Sequence, residues 1–249
     1  MYQKERLDSI MEIVERYGYV TVKYLVSALH YSNATINRDL NVLEGQKRLK
    51  RSYGGVEIVR EEEVPLPFRY HKMRIEKLKI GKKACEFVCD GDTVFIDGAT
   101  TTEYMTEFLT EKKDITVITN NVALVTHLSE YNVRVICLGG EMIEPPCMLG
   151  GEDTVLAASR YHVDKMFFST GCATVDGRIG EGARYYLLYT VMANNAREVY
   201  FLADHEKFER QMGNRRYLFD FDKVTAVISD YDFDEDIQKK YTKTKFVKV

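Results

Sequence analysis

One stretch decides the fold of the N-terminal part of this chain, namely Ser32-Asn33-Ala34-Thr35-Ile36-Asn37-Arg38-Asp39-Leu40. Ser32 is a residue type that caps helix N-termini, and Ile36, Leu40 and Leu43 then recur at helical spacing. This spacing predicts a helix that buries those three side chains. The opposite side of the helix carries Ala34, Thr35, Arg38 and Asn41, with Asn37 on the flank.

The flanking sequence predicts two earlier helices and a later hairpin. Apolar residues recur at helical spacing over residues 7–14 and again over residues 22–29, where Thr21 is placed to cap the second helix. Residues 49–58 form two extended arms around Gly54-Gly55, which is the signal for a hairpin. Two helices joined by a tight turn and followed by a hairpin predict a winged helix-turn-helix.

The polar side of the third helix suits the major groove of DNA. Arginine pairs with guanine edges or phosphate, asparagine with adenine, and threonine with phosphate or a thymine methyl group. The cationic run Lys47-Arg48-Leu49-Lys50-Arg51 lies where the wing would contact the DNA backbone. The alternative is a three-helix module whose polar face meets only water. The expected DNA-binding residues are Ser32, Thr35, Asn37, Arg38, Asn41, Lys50, Arg51 and Tyr53.

Composition describes a folded chain without a membrane span. Of 249 residues, 45% are hydrophobic and 29% are charged, and only 4 are proline, which argues against disordered or fibrous chains. No apolar stretch is long enough to span a bilayer, and the first twenty residues lack an apolar signal core. The 5 cysteines are scattered. We therefore expect a cytoplasmic protein with free thiols.

Charge is unevenly distributed along the chain. Residues 1–58 carry nine basic and seven acidic residues, a net charge of +2, whereas residues 59–249 carry a net charge of −5. This asymmetry predicts a modest anion-binding head on an acidic body, although basic clusters also occur as ordinary solvated surface.

Residues 59–74 combine an acidic run with two prolines and no periodicity, which predicts a linker. It would separate a DNA-binding domain at residues 1–58 from a second domain at residues 75–249, where effector sensing and oligomerisation are expected. A helix is expected to open the second domain. Its apolar residues are Ile75, Leu78, Ile80, Ala84, Phe87 and Val88.

Beyond this helix, short apolar runs of strand type alternate with helical stretches. The expected strands are Thr93–Asp97, Ile115–Thr119, Val133–Leu138, Lys165–Ser169, Glu198–Ala203, Val224–Ser229 and Lys245–Val249. The alternation predicts an α/β domain with a mainly parallel sheet covered on both faces. Ligands bind such sheets beyond the carboxyl ends of the strands.

Several motifs resemble the DeoR family of bacterial transcription regulators. Residues 5–55 resemble its winged domain. Four later motifs resemble its sensor domain: residues 95–102 (FIDGATTT), 118–121 (ITNN), 138–141 (LGGE) and 196–208 (AREVYFLADHEKF). The resemblance implies a homo-oligomeric, usually repressing, DNA-binding protein. It also implies a sensor domain similar in fold to ribose-5-phosphate isomerases, which binds a phosphorylated sugar or related metabolite.

The chain departs from the family pattern at three positions. Asn37 precedes Arg38 where the family commonly has two arginines, and Ala99 stands where glycine is usual. Tyr189 stands where the family often has a lysine. Lys207 and Arg184 remain as sources of positive charge for a phosphosugar.

The loop at residues 97–102 offers free backbone N–H groups, hydroxyl groups and a helix N-terminus, which together favour an anion. An ordinary strand-to-helix loop with a capping threonine is the alternative. Asp97 is placed to accept sugar hydroxyl groups or to cap the backbone. Asn120 and Gly139-Gly140 end two other strands, so three strand ends would converge on one cleft; Gly-Gly is also a common exit from a strand.

Residues 171–182 look long and polar enough for a lid over this cleft, with a plain surface loop as the alternative. The expected effector-binding residues are Asp97, Gly98, Ala99, Thr100, Thr101, Thr102, Asn120, Gly139, Gly140, Glu181 and Lys207.

A ligand-responsive regulator is the function that the sequence favours, with a DNA operator, a small effector and further copies of the chain as partners. No catalytic residue, metal or cofactor is expected. The alternative is a sugar-phosphate isomerase-like enzyme with an accessory DNA-binding domain, because Asp97 and Glu181 have the chemistry of proton-abstracting bases. Against this, the 5 histidines are dispersed. A degenerate sensor that binds DNA constitutively is a third possibility.

Overall fold

The computed structural model describes residues 3–17, 19–46, 48–52, 54–58, 69, 71–131, 133–144, 147–182, 184–209 and 216–249. The chain divides into two compact units, Met1–Val64 and Pro65–Val249. Most of the linker expected at 59–74 lies outside the described residues, as does Tyr53. No helix in the described ranges is long and apolar enough to cross a membrane.

The first unit is a winged helix-turn-helix. Its elements are α1 (Gln3–Tyr17), β1 (Tyr19–Thr21), α2 (Val22–Leu29), α3 (Asn33–Gly45), β2 (Leu49–Ser52) and β3 (Gly55–Ile58). The strands form an antiparallel sheet with β3 in the centre. Both predicted caps are present, because Thr21 accepts a 3.1 Å hydrogen bond from the Tyr24 backbone and Ser32 accepts one of 3.1 Å from the Thr35 backbone.

Helix α3, the recognition helix, buries the face that its spacing predicts. Ile36, Leu40 and Leu43 are fully buried in the core of the first unit. Asp39 is buried among them, and Arg6 of α1 donates to both of its carboxylate oxygens at 2.7 and 3.0 Å. A buried carboxylate without its partner is strongly destabilising, so this two-point ion pair fixes α3 against α1.

The second unit alternates strands and helices. In chain order its elements are α4 (Arg74–Cys85), β4 (Thr93–Ile96), α5 (Thr100–Glu103), α6 (Thr106–Leu109), β5 (Thr116–Thr119), α7 (Val122–Leu128), β6 (Arg134–Cys137), β7 (Glu141–Glu144), β8 (Met148–Gly150), α8 (Glu152–Ala158), β9 (Val163–Phe168), β10 (Cys172–Ala173), β11 (Arg178–Glu181), α9 (Tyr186–Asn195), β12 (Ala196–Ala203), β13 (Arg216–Asp220), β14 (Ala226–Ser229), α10 (Glu235–Lys240) and β15 (Lys245–Lys248).

Seven of these strands form one sheet in the order β15-β14-β12-β9-β4-β5-β6. Every neighbouring pair is parallel. The side chains of β4 alternate between two cores: Phe95 packs in the cluster that includes Met192 of α9, whereas Val94 and Ile96 pack in the cluster that includes Ile80 of α4. The fold class expected from the sequence is therefore confirmed.

The loop expected at residues 171–182 is wrong, because the segment contains two strands. Strands β10 and β11 pair with each other, and β11 also pairs with β13, in an antiparallel sheet. Cys172, Ala173 and Ile179 are fully buried. The segment is rich in glycine and polar residues, so its sequence does not read as strands. Strands β10 and β11 are stabilised by pairing and by packing against the rest of the unit.

Of the apolar residues expected in the helix that opens this unit, Ile80, Ala84 and Val88 are buried, but two others are not. Ile75 is 67% exposed and Leu78 is 36% exposed, whereas Lys77 is buried. The helix approaches Tyr104 closely at Gly81, because a Cβ atom there would lie 2.7 Å from the Tyr104 carbonyl carbon. The close approach fixes the inward face of the helix, which consists of Lys77, Ile80, Gly81, Ala84 and Cys85.

Candidate functional site

The recognition helix exposes the polar face that was predicted to meet DNA. Ala34, Arg38 and Asn41 are exposed, and Thr35 and Asn37 are half-buried. Arg38 forms no hydrogen bond or ion pair with any other residue in the described ranges, so its guanidinium is available to a ligand. In the described part of the chain, this face of the helix therefore presents the free Arg38 guanidinium beside several short polar groups.

The predicted DNA-binding residues Asn37, Asn41 and Arg51 lie together. Arg51 of β2 donates to Oδ1 of Asn37 at 2.8 Å and to Oδ1 of Asn41 at 2.6 Å. Lys50 lies 3.6 Å from the Glu57 carboxylate across the wing. The Ser32 hydroxyl caps α3, and its oxygen lies 2.9 Å from that of Thr35. These contacts arrange the wing beside the recognition helix.

In the second unit, four donors of the protein occupy the buried carboxylate of Asp97. Oδ1 accepts from the Ala99 backbone at 3.2 Å and from the Thr102 hydroxyl, and Oδ2 accepts from the Ser169 backbone at 3.0 Å and from the Tyr189 hydroxyl at 2.7 Å. Burial raises the pKa of Asp97, and these hydrogen bonds oppose that shift. A carboxylate offers about four acceptor positions, so the geometry favours the alternative in which Asp97 holds the loop.

Tyr189 is a neutral hydrogen-bond donor at the position where the family resemblance implies a lysine. It is fully buried, and burial together with the charges of Asp97 and Glu181 raises its pKa well above the usual value. The phenol therefore stays protonated and donates to Asp97. Its ring stacks on Tyr185 with centroids 6.2 Å apart, and Tyr185 donates to the Glu144 carboxylate at 2.7 Å.

Lys77 supplies a buried cation that the sequence reasoning missed. It is only 4% exposed, and its Nζ donates to the Thr100 hydroxyl at 3.0 Å and to the Arg69 carbonyl oxygen at 2.7 Å. It brings positive charge to the 97–102 loop, where Tyr189 brings none. The available signal was a lysine in register with Ile80 and Ala84 on the apolar stripe of α4.

Four buried polar atoms at the carboxyl edge of the sheet have no hydrogen-bond partner among the described residues. They are Thr101 Oγ1, Asn120 Oδ1, Ser169 Oγ and Asp204 Oδ1. These residues follow β4, β5, β9 and β12, which are consecutive neighbours in the order β12-β9-β4-β5. Each such group costs about 1–3 kcal/mol when unpaired, so this edge of the sheet carries hydrogen-bonding capacity that the described residues do not use.

The hairpin of β7 and β8 covers one side of the 97–102 loop. Asn120 donates from Nδ2 to the Leu149 carbonyl oxygen at 2.8 Å, and the Leu149 backbone donates to the Asn120 carbonyl oxygen at 2.9 Å. A Cβ atom on Gly98 would lie 2.7 Å from Met148 Cγ. Gly98 is therefore needed for this close packing, which excludes it from direct ligand contact on that side.

Gly139 and Gly140 have backbone conformations that favour glycine, and Gly140 is also closely packed. Their φ angles are +71° and +108°, and a Cβ atom on Gly140 would lie 2.0 Å from Thr154 Oγ1. Thr154 donates to the Gly139 carbonyl oxygen at 2.6 Å. The geometry supports the alternative in which the two glycines let the chain leave β6.

The remaining expected residues lie at other points of the site. Glu181 is buried and accepts a 2.5 Å hydrogen bond from the Gly182 backbone, and its charge contributes to the raised pKa of Tyr189. Lys207 is half-buried in the turn after Asp204. No group of three or more histidine, cysteine or acidic residues in the described ranges is arranged to hold a metal ion.

Both units of the fold match known protein families. Residues 6–62 match the DeoR-like helix-turn-helix domain, and residues 72–231 match the DeoR C terminal sensor domain. The lactose phosphotransferase system repressor of Streptococcus mutans is 32% identical over 252 residues, which cover 97% of this chain and 98% of that protein. The glycerol-3-phosphate regulon repressor of Escherichia coli is 32% identical over 215 residues, which cover 84% of each protein.

Among solved structures, ribose 5-phosphate isomerase A from Methanocaldococcus jannaschii matches 57% of this chain and 58% of its own, with 18% identity and a TM-score of 0.43. The matches to both domain families together span most of the sequence, in the same order as the two units of the fold. The chain belongs to the DeoR family of helix-turn-helix transcription regulators.

Proposed function

We propose that this protein is a repressor of carbohydrate-metabolism genes whose affinity for operator DNA is controlled by a phosphorylated sugar or related metabolite. Membership of the DeoR family supports the regulatory role. The names of the lactose and glycerol-3-phosphate repressors support the class of gene and effector.

The observation that carries the DNA-binding half is the two-sided recognition helix. Its inner face is buried through Ile36, Leu40 and Leu43, while Arg38 stands exposed on the opposite face. A guanidinium in this position is suited to guanine edges and phosphates. Proteins with this motif read two half-sites as dimers, so homo-oligomers of the chain are part of the proposal.

The sensor half rests on the carboxyl edge of the sheet. Lys77 provides a buried cation beside Thr100, which suits an anionic group. The unpartnered oxygens of Asn120 and Asp204 are acceptors, which suit the hydroxyl groups of a sugar. This edge of the sheet therefore combines a cation for a phosphate group with acceptors for hydroxyl groups, which are the two features that binding a phosphorylated sugar requires.

The segment that enters the second unit is tied to this same edge. Lys77 contacts both the Thr100 hydroxyl and the carbonyl oxygen of Arg69, and the Arg69 guanidinium pairs with Glu144 of β7. Lys72 lies 2.6 Å from Glu206, in the turn after Asp204. In this proposal, an effector anion bound to Lys77 competes with the Arg69 carbonyl oxygen for the ammonium group. This competition is the proposed route by which effector binding favours one state of the protein over another.

The internal bonding of the carboxylates argues against the isomerase alternative. A catalytic base must reach the proton that it abstracts. The Asp97 carboxylate already accepts hydrogen bonds from four protein donors, and the buried Glu181 carboxylate accepts one from the Gly182 backbone. The proposal therefore assigns no enzymatic activity, and turnover of ribose 5-phosphate or glucosamine 6-phosphate by the pure protein would overturn that part.

Two measurements on the intact protein test the proposal. Duplexes retained from a random-sequence library are sequenced, and their mobility shift is followed with and without phosphorylated sugars. Thermal shift is measured against the same sugars, where a ligand at about 100 times its Kd stabilises by about 2.7 kcal/mol. Absence of retained duplex refutes the regulator, and a thermal shift without any change in DNA binding refutes the control by effector.

A further inference from the structure

One side chain, that of Arg51, joins the wing to the recognition helix. Its Nη1 donates to Oδ1 of Asn37 at 2.8 Å, and its Nη2 donates to Oδ1 of Asn41 at 2.6 Å. Because Asn37 and Asn41 are four residues apart, they are neighbours on one face of α3. The planar fork of a guanidinium spans both amides, which an ammonium group does not.

Glu44 holds Arg51 from a third position. The Arg51 backbone donates to Glu44 Oε1 at 3.2 Å, and Arg51 Nε lies 3.7 Å from Glu44 Oε2. The side chain is therefore bound along the same face of α3 that was predicted to meet DNA. A cation held in this way reaches a phosphate only after several of these contacts break.

The two asparagines differ in what they have left to offer. Asn37 uses both ends of its amide, because Oδ1 accepts from Arg51 and Nδ2 donates to the Asn33 carbonyl oxygen at 2.9 Å. Asn41 is exposed and uses its Oδ1 for Arg51. Its Nδ2 has no hydrogen-bond partner in the described part of the chain.

We propose that Arg51 is a positioning residue for DNA reading, which orients Asn41 so that its amide NH2 meets an acceptor on a base edge. The inference rests on the proposed DNA-binding function. Acceptors of this kind in the major groove are N7 and O6 of guanine, N7 of adenine and O4 of thymine. Asn37 anchors the wing and does not read a base.

The identity of residue 37 is part of this arrangement. An arginine at position 37 would remove the Oδ1 acceptor and set a second guanidinium against Arg51. The asparagine instead draws Arg51 onto the helix. With asparagine at position 37, the Arg51 side chain is a brace between β2 and α3.

The test compares a selected duplex with a random-sequence duplex for the intact protein and its variants R51K, N41A and N37A. We expect R51K and N41A to lower the ratio of the two affinities by about tenfold, since each disturbs the Asn41 amide. The double variant R51K/N41A is expected to fall no further than N41A alone, because the two residues act as one unit. N37A removes one of the two amide acceptors that hold Arg51 and leaves Asn41 in place, so it is expected to lower the ratio less than N41A does.

Three results would overturn the inference. They are an unchanged affinity ratio in R51K, additive losses in the double variant, and a base preference that changes in N37A but not in N41A. Asn41 is exposed, so N41A tests base reading even if the Arg51 variants fail to fold. If the wild-type protein binds neither duplex, the proposed function itself fails, whereas wild-type binding with an unchanged R51K ratio removes only the role of Arg51.

Discussion

The hydroxyl of Tyr189 donates a 2.7 Å hydrogen bond to the buried carboxylate of Asp97. The two residues are far apart in the sequence, on α9 and just after β4, and both are almost fully buried. This bond fixes the base of the 97–102 loop with a neutral group. The positive charge near this loop comes instead from Lys77, whose Nζ donates to the Thr100 hydroxyl.

Removing the Tyr189 hydroxyl is expected to destabilise the second unit. Tyr189→Phe takes one donor from a carboxylate that remains buried, which costs about 1–3 kcal/mol. Urea unfolding measures the loss. Tyr186→Phe is the matched control, because Tyr186 is on the same helix and only half-buried. Equal stability of Tyr189→Phe and wild type would show that the hydrogen bond is not needed.

Replacing Lys77 is expected to weaken effector binding while DNA binding persists. Lys77→Met keeps an apolar stem of similar length and removes the cation beside Thr100. Loss of a charge-assisted hydrogen bond predicts a rise in effector Kd of about tenfold or more. Thermal shift with the phosphorylated sugar identified by screening measures it. Lys79→Met, an exposed change on the same helix, is expected to bind normally; an equal loss in both variants contradicts the role of Lys77.

The two glycines after β6 are expected to respond differently to alanine. Both have positive φ, which costs an alanine about 1–2 kcal/mol. Only at Gly140 does the added Cβ meet atoms, at 2.0 Å from Thr154 Oγ1 and 2.5 Å from the Gly150 carbonyl oxygen. Gly140→Ala should therefore lose more stability than Gly139→Ala in thermal unfolding. The reverse order would contradict the packing described at this turn.

Acid conditions are expected to strengthen the pairing of His205 with Asp230. Nδ1 of His205 lies 2.5 Å from Oδ2 of Asp230, and this hydrogen bond raises the pKa of His205 above its usual 6.5. A raised histidine pKa contributes stability that is complete below the unfolded pKa and is lost as the pH rises through the folded one.

The melting-temperature difference between wild type and His205→Asn should therefore be larger at about pH 5.5 than at about pH 8.5. The effect is small, because the His205 side chain is 40% exposed and solvent screens the pair. His162→Asn, at an exposed position, is the control. A difference that grows with pH would give the opposite sign and contradict the assignment.

Local patterns in the sequence were sufficient for the elements and the fold class. Helix α7 (Val122–Leu128) is one of the helical stretches that follow the strands, and Asn121 caps its start. All seven expected strands lie in the parallel sheet, within a few residues of their predicted ends. Such strands are buried on both faces, so their apolar runs are continuous and easily recognised.

The detailed site depends on contacts between distant segments, which local patterns do not contain. Asp97 receives donors from Ser169 and Tyr189, which are 72 and 92 residues away. Lys77 lies on the inward face of α4, which approaches Tyr104 closely at Gly81, and the apolar pattern of the helix alone does not show this contact. The segment at 171–182 contains two strands, β10 and β11, and β11 also pairs with β13, which lies more than thirty residues later in the chain.

The most direct test of the account is the salt dependence of duplex binding by the intact protein and by Arg38→Ala. We expect the logarithm of the wild-type binding constant to fall linearly with the logarithm of salt concentration. In Arg38→Ala that slope should be shallower by about 0.9 if the arginine meets one phosphate, or the sequence preference should relax if it meets a base. Wild-type binding that ignores salt, or an Arg38→Ala protein that matches wild type in both respects, would contradict the account.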